Sequence, residues 1–212
     1  MWGVVHLDEK WFNAYKDRQK VHLVKGQTIG RRTSKSKRFI AKVMFLAAVS
    51  HPRFDCERGV MFDGKFGMWP IAKRVPAARN SRNRPAGTLV TTVVNVDAAV
   101  CCDFVMTRVI PANKARIPSS NKQLGFFASI QSLQSKVVSR SVDGVISLTL
   151  AAFLALCSEK LGNVFLAFQA VMRLVLEHNG DNRFRLPHLK KDTMRRAGTL
   201  MTNVTCPVSL LD

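Results

Sequence analysis

The sequence predicts an α/β protein in which buried strands come first and helices follow. Two apolar segments, 4–7 and 40–49, are short and almost uninterrupted, which is typical of strands at the centre of a sheet. From residue 97 onward, apolar residues recur at helical spacing instead. We therefore expect a three-stranded sheet with an added hairpin, followed by C-terminal α-helices.

The first predicted strand ends at two acidic residues. Residues 4–7 run directly into Asp8 and Glu9, and two aromatic residues follow. A carboxylate at the lip of a sheet can hold a metal ion, so Asp8 is a candidate metal ligand. Successive side chains of a strand point to opposite faces, so Glu9 is expected on the other side, as a solvated or loop-capping charge. His6 shares the face of Asp8, and we expect it to be a hydrogen-bonded core residue.

Two further strands follow, at 21–24 and 40–49, with a basic loop at 25–38 between them. Three sequential strands, the first ending on a carboxylate, match the start of a ribonuclease-H-like domain. The periodicity alone allows any other meander equally well.

The next segments are predicted to be a hairpin, a second basic loop and an edge strand. Gly59 to Ile71 is rich in aromatic residues and has Asp63-Gly64 as its turn signal. Residues 73–85 read as the loop, and 88–94 alternate threonine and valine, as an edge strand does.

Four helices are predicted in the second half. Asp97 begins the first, which Pro111 should kink or end because its ring removes a hydrogen-bond donor. Residues 124–138 form the second. Ser141 is a good N-cap for the third, and the fourth covers about 159–178, ended by Asn179-Gly180. Capping explains Asp97, and a surface position explains Asp103, better than metal binding does.

The chain is strongly basic: Lys+Arg 33 against Asp+Glu 14 gives a net charge of +19. Nucleic acid is the commonest partner of such a chain, although a membrane surface or an acidic protein would also serve. A solvated charge run is the equally weighted alternative for the two basic loops, and a decaying open reading frame is the simplest source of the charge. The candidate nucleic-acid-binding residues are Arg31, Arg32, Lys35, Lys37, Arg38, Lys73, Arg74, Arg79, Arg82 and Arg84.

The sequence also predicts an intracellular protein. The five cysteines show no C-x-x-C pair, which fits a reducing compartment. No signal peptide is visible, and the most apolar helical stretch, 145–157, is too short to span a bilayer, so no membrane partner is expected.

Several blocks resemble mariner-like transposases of the kind found in oomycetes and other eukaryotes. The resemblance begins with the first strand and extends, in the correct order, over nearly the whole chain. The blocks are 6–12 (HLDEKWF), 35–46 (KSKRFIAKVMFL), 62–70 (FDGKFGMWP), 83–88 (NRPAGT), 124–127 (LGFF), 130–134 (IQSLQ), 163–166 (NVFL) and 186–188 (LPH).

The resemblance implies a DNA strand-transfer enzyme that uses three carboxylates and two Mg²⁺ or Mn²⁺ ions. Asp8 matches the first catalytic carboxylate. The second should follow a fourth strand and the third should open the next helix, but only five residues separate Pro118 from Leu124. The helix-turn-helix region that recognises transposon ends is also expected to be missing. We therefore expect weak metal binding and no strand transfer.

These observations together predict a transposase remnant that retains sequence-nonspecific DNA binding. The incomplete ribonuclease-H-like core should occupy 1–118, a helical part 119–180, and a basic, flexible tail 181–212. The resemblance also implies a nuclear protein and suggests a homodimer. The alternatives are a non-enzymatic nucleic-acid-binding protein and a non-functional open reading frame. Losing the fourth strand should also make folding marginal, since unpaired buried backbone groups each cost about 1–3 kcal/mol.

Overall fold

The computed structural model describes residues 4–13, 42–56, 58–116, 123–124, 141–181, 183–185 and 187–208. These residues form two compact units. The sheet unit comprises the described residues within 3–49 and 66–155, and the helical unit those within 50–65 and 156–212. The segments predicted from sequence, 1–118, 119–180 and 181–212, follow chain order, and that division stays a prediction.

The described residues contain strands first and helices mainly after them, which confirms the mixed α/β class with C-terminal helices. The strands are β1 (Val4–Asn13), β2 (Lys42–Val49), β3 (Arg53–Asp55), β4 (Val60–Phe62), β5 (Lys65–Pro70), β6 (Ala72–Pro76), β7 (Leu89–Val93) and β8 (Gln123–Leu124). The helices are α1 (Ala98–Phe104), α2 (Ile110–Arg116), α3 (Val142–Leu154), α4 (Ser158–Glu177) and α5 (Lys191–Arg196).

The centre of the sheet unit is the antiparallel pair of β1 and β2. Its register runs from His6 opposite Val49 to Asn13 opposite Lys42. Apolar side chains at nearly every position of β2 are buried, and Phe45 packs edge-to-face on Phe12 with ring centroids 5.3 Å apart. The third predicted strand, 40–49, is thus confirmed as β2.

The sheet has four strands in the order β5-β2-β1-β8, with β8 parallel to β1. The predicted membership of three strands was therefore wrong, because β5 and β8 complete the sheet. The predicted strand at 21–24 lies outside the described residues.

The predicted hairpin over 59–71 was also wrong, because its two strands join different sheets. β4 pairs with β3, whereas β5 lies beside β2. Gly64, at the turn between them, has φ +84°, and its carbonyl accepts a hydrogen bond from Ser50 N at 2.8 Å. The turn signal at Asp63-Gly64 was thus real, but it joins two sheets and not two partners.

β6 and β7 pair antiparallel, with Ala72 opposite Val93 and Pro76 opposite Leu89. The predicted edge strand at 88–94 is confirmed as β7. The segment 73–85, predicted to be a loop throughout, begins with β6 instead. We call β6, β7 and the connecting residues 77–88 the arm.

The helix predicted from Asp97 does not end at Pro111. α1 passes into a π-helical turn, Val105–Val109, and then into α2, which reaches Arg116. In the π-helical turn Ile110 N donates to Val105 O, a wider spacing than the α-helical one. The wider turn lies immediately before Pro111, where an α-helical hydrogen bond to its missing N–H would be lost.

The predicted caps are confirmed. The Asp97 side chain accepts a hydrogen bond from Val100 N at 2.9 Å, and Ser141 Oγ accepts one from Gly144 N at 3.0 Å. Asn179 and Gly180 have positive φ directly after α4, as a helix stop requires. Most of the helix predicted over 124–138 lies outside the described residues, and Leu124 belongs to β8.

In the helical unit the C-terminal segment packs against α4. Gln169 binds Asn203 Oδ1 and Val204 N, and Arg195 binds Asn163 Oδ1 at 2.8 Å. Between α4, α5 and this segment lies a cavity of about 290 Å³, lined mainly by aliphatic and methionine side chains. The expected flexibility of 181–212 stays a prediction.

Candidate functional site

Asp8 is half-buried in the middle of β1, opposite Ala47 of β2. His6 and Lys10 lie two residues to either side, so their side chains share its face of the strand. A cation on the same face competes with a divalent metal for that carboxylate. The position of Asp8 in a central strand agrees with the sequence prediction.

The residues around Asp8 do not fit a two-metal site. Among the described residues, no group of three or more His, Cys, Asp or Glu side chains is placed to hold a metal ion. Glu9 points to the opposite face, where it accepts a hydrogen bond from Cys101 Sγ. The role of Asp8 as a metal ligand therefore stays a prediction from the family resemblance.

His6 is a buried residue of the core, only 6% exposed. Burial lowers the pKa of His6 below its usual value, because the imidazolium would lose its hydration. Its chemical consequence is a neutral ring at physiological pH. This agrees with the core role expected for His6.

Glu9 was expected to be a solvated or loop-capping charge, and it is exposed at the surface of β1. Its hydrogen bond to Cys101 of α1 ties that helix to the sheet across 92 residues of sequence. Burial and the Glu9 carboxylate raise the pKa of Cys101 to about 11. A thiol with this pKa is protonated near pH 7 and is a poor nucleophile.

The first group of predicted DNA-binding residues lies outside the described part of the chain. It comprises Arg31, Arg32, Lys35, Lys37 and Arg38. Their role stays a prediction.

The second group lies on the arm. Lys73 and Arg74 are on β6, and the other three cations, Arg79, Arg82 and Arg84, are in the connecting segment. All five side chains are exposed, and none forms an ion pair with a described acidic residue. Residues 64–96 contain no Asp or Glu, so the arm carries five positive charges and no negative one.

The arm is held in shape by its own hydrogen bonds. Ala77 N donates to Thr88 O, and Gly87 N to Ala77 O, both at 2.9 Å. Asn80 Oδ1 accepts from Ala86 N at 2.6 Å. At the far end, Ser81 and Arg84 exchange backbone hydrogen bonds of 2.8 and 3.2 Å. Residues 78–89 are all exposed, so this order comes from within the arm.

The arm is anchored to the sheet unit at its base. Thr91 Oγ1 donates a hydrogen bond of 2.5 Å to Asp143 at the start of α3. Ile71, just before β6, donates from its backbone N to Met44 O at 2.7 Å. The arm therefore projects from a fixed root, which places its cations together on one exposed element.

Sequence reasoning found the cations of the arm but not the fold that presents them. It also missed the cavity beside α4, whose few charged residues include Arg173, Glu177 and Lys191. Arg173 pairs with Glu177 at 2.7 Å, and Lys191 Nζ donates to Asn163 O, so these charges serve local structure. Burial lowers the pKa of Lys191.

Comparisons with protein families, with curated proteins and with solved structures found no match for this chain. Among the described residues, no single helix is long and apolar enough to cross a membrane, and α3 and α4 meet that test only when taken together.

Proposed function

We propose that this protein binds DNA through phosphate contacts made by the arm. The observation that carries the proposal is the cluster of five exposed cations on a hydrogen-bonded hairpin without any acidic residue. Lysine and arginine side chains that neutralise phosphates release condensed counterions, which drives binding without reading the sequence. The net charge of +19 favours approach to any polyanion.

The internal hydrogen bonds of the arm support the proposal further. A solvated charge run in an unstructured loop would lose backbone freedom on binding DNA. Here the Ser81–Arg84 pair and the Asn80–Ala86 bond already fix the backbone. Less conformational entropy is then lost when phosphates are bound.

We also propose that the chain descends from a mariner-like transposase and has lost strand transfer. The support is the ordered series of blocks that begins with Asp8 in HLDEKWF. This descent implies an incomplete ribonuclease-H-like core, a nuclear location and a homodimer. Only one of three expected catalytic carboxylates has a match in the sequence, and phosphoryl transfer depends on all three positioning the metals.

A salt titration of DNA binding with matched charge variants tests the first proposal. The arm variant is Arg79→Ala/Arg82→Ala/Arg84→Ala. The control, Arg58→Ala/Lys160→Ala/Arg185→Ala, removes the same charge from exposed positions of the helical unit. The slope of log K against log salt should decrease by about 2.7 in the arm variant, from about 0.9 per phosphate contact, and much less in the control. Equal decreases in both variants would assign binding to net charge alone.

A nicking assay with Mg²⁺ or Mn²⁺ tests the second proposal. The native chain and Asp8→Ala should both leave supercoiled DNA intact. Cleavage that depends on Asp8 would show a working metal site and contradict the loss of strand transfer.

A further inference from the structure

We infer that the arm enters the major groove of duplex DNA and that Arg82 and Asn83, at its tip, contact base edges there. The inference rests on the proposed DNA binding and adds the form of DNA, the groove and the two residues that would face the bases.

The tip is a tight turn of two residues. Ser81 and Arg84 form an antiparallel bridge, so Arg82 and Asn83 are the residues between the two strands of the arm. Both are exposed, and neither side chain forms a hydrogen bond or ion pair with another described residue. Their polar groups are thus available to a ligand at the point farthest from the root.

The cross-section of the arm fits one groove better than the other. Neighbouring strands lie about 4.8 Å apart, and side chains bring the width of a two-stranded ribbon to roughly 10 Å. The major groove of B-DNA is about 12 Å wide and admits such a ribbon, whereas the minor groove is about 6 Å wide and does not. Five residues separate Ala77 from the turn, an upper reach of about 17 Å, which exceeds the major-groove depth of about 8.5 Å.

The two tip residues have the right chemistry for base edges in that groove. The arginine fork pairs with O6 and N7 of guanine, and the asparagine amide pairs with N6 and N7 of adenine. Arg79 and Arg84 lie on opposite strands of the arm, one on each side of the tip. Each is therefore placed to reach the phosphates on one wall of the groove, while Lys73 and Arg74 remain near the root.

Base analogues that alter one groove at a time test this inference with the full chain. In a 16-base-pair duplex, 7-deazaguanine removes the N7 acceptor from the major groove, and inosine removes the amino group from the minor groove. We expect 7-deazaguanine to weaken binding about fivefold, the loss of one hydrogen bond, and inosine to leave it unchanged. An effect of inosine without one of 7-deazaguanine would overturn the inference.

Substitutions at the tip connect the effect to the named residues. Arg82→Lys keeps the charge but loses the fork, so the salt slope should remain while the 7-deazaguanine effect disappears. Arg79→Lys is the matched control and should retain both. If Arg82→Lys keeps the analogue effect, Arg82 does not contact guanine and the inference fails.

Duplex RNA separates groove entry from phosphate binding alone. Side chains cannot reach the bases in the deep, narrow major groove of A-form RNA, so an RNA duplex of the same sequence should bind at least several-fold more weakly. Equal binding of both duplexes, with a strong salt slope and no analogue effect, would overturn groove entry but leave the proposed function standing. Absence of salt-dependent DNA binding would overturn both.

Discussion

The β1–β2 pair and the arm are both antiparallel strand pairs of the sheet unit, but they expose their side chains to opposite extents. In β2, five consecutive residues, 45–49, are buried, whereas in the arm the twelve residues 78–89 are all exposed. The first pair carries the residue that the family resemblance marks as catalytic, Asp8. The second carries the free cations. Stability and polyanion binding are therefore expected to depend on different strand pairs, which mutations can separate.

The largest expected difference concerns packing. Phe45 is 0% exposed and contacts Phe12, so Phe45→Ala should lower the free energy of unfolding by about 3–5 kcal/mol. Leu89, in the arm, is 63% exposed, and Leu89→Ala should change it by no more than about 0.5 kcal/mol. Urea denaturation measures both. Similar losses would show that the arm is part of the core.

Two glycines with nearly equal φ make a sharper pair. Gly64 (φ +84°) has no room for a Cβ, which would meet Ser50 O and lie 2.8 Å from Leu161 Cδ2, whereas Gly87 (φ +86°) in the arm has nothing within 4 Å. Gly87→Ala should cost only the left-handed backbone, about 1–2 kcal/mol. Gly64→Ala adds overpacking of about 1–3 kcal/mol. Equal losses in urea denaturation would contradict the packing around Gly64.

A pH effect should arise from β1 and not from the arm. Burial lowers the pKa of His6, so below about pH 6.5 the unfolded chain binds a proton that the folded chain resists. The free energy of unfolding should therefore fall as the pH decreases from 7 to 5, by at most about 1.4 kcal/mol per pH unit for this group. His6→Asn should reduce that slope, and exposed His188→Asn should not. Equal slopes in all three chains would place the effect elsewhere.

The smallest expected effect concerns thiol reactivity next to β1. The pKa of Cys101 is raised to about 11 by burial and by Glu9, so iodoacetamide should modify it more slowly than exposed Cys56 at pH 8. Glu9→Gln removes the carboxylate charge and should speed the reaction of Cys101 alone, as peptide mass spectrometry would show. Unchanged kinetics would mean that Glu9 has no influence on this thiol.

Local chemistry explains what the sequence could predict. Asp97 and Ser141 cap helices through hydrogen bonds to residues three positions later, and Asn179-Gly180 supply the left-handed backbone that ends α4. The long apolar run of β2 also suffices to identify a central strand. Each of these signals lies within a few residues of the feature that it predicts.

Distant pairing explains what it could not. β4 and β5 share a turn, yet each takes a partner elsewhere, and partner choice leaves little mark on the residues themselves. β6 contains Lys73, Arg74 and Pro76, which favour a loop until β7 pairs with them. The Glu9–Cys101 bond joins residues too far apart in sequence to pair by inspection. At the candidate site the charges were therefore predictable, and the arm that presents them was not.

The most direct test of the account is a residue-level map of DNA contact. Backbone amide NMR signals would be followed as a 16-base-pair duplex is added at low salt. The account predicts that the largest shifts occur at residues 79–84 of the arm and that residues 5–12 of β1 hardly move. Large shifts in β1 with an unperturbed arm would contradict it.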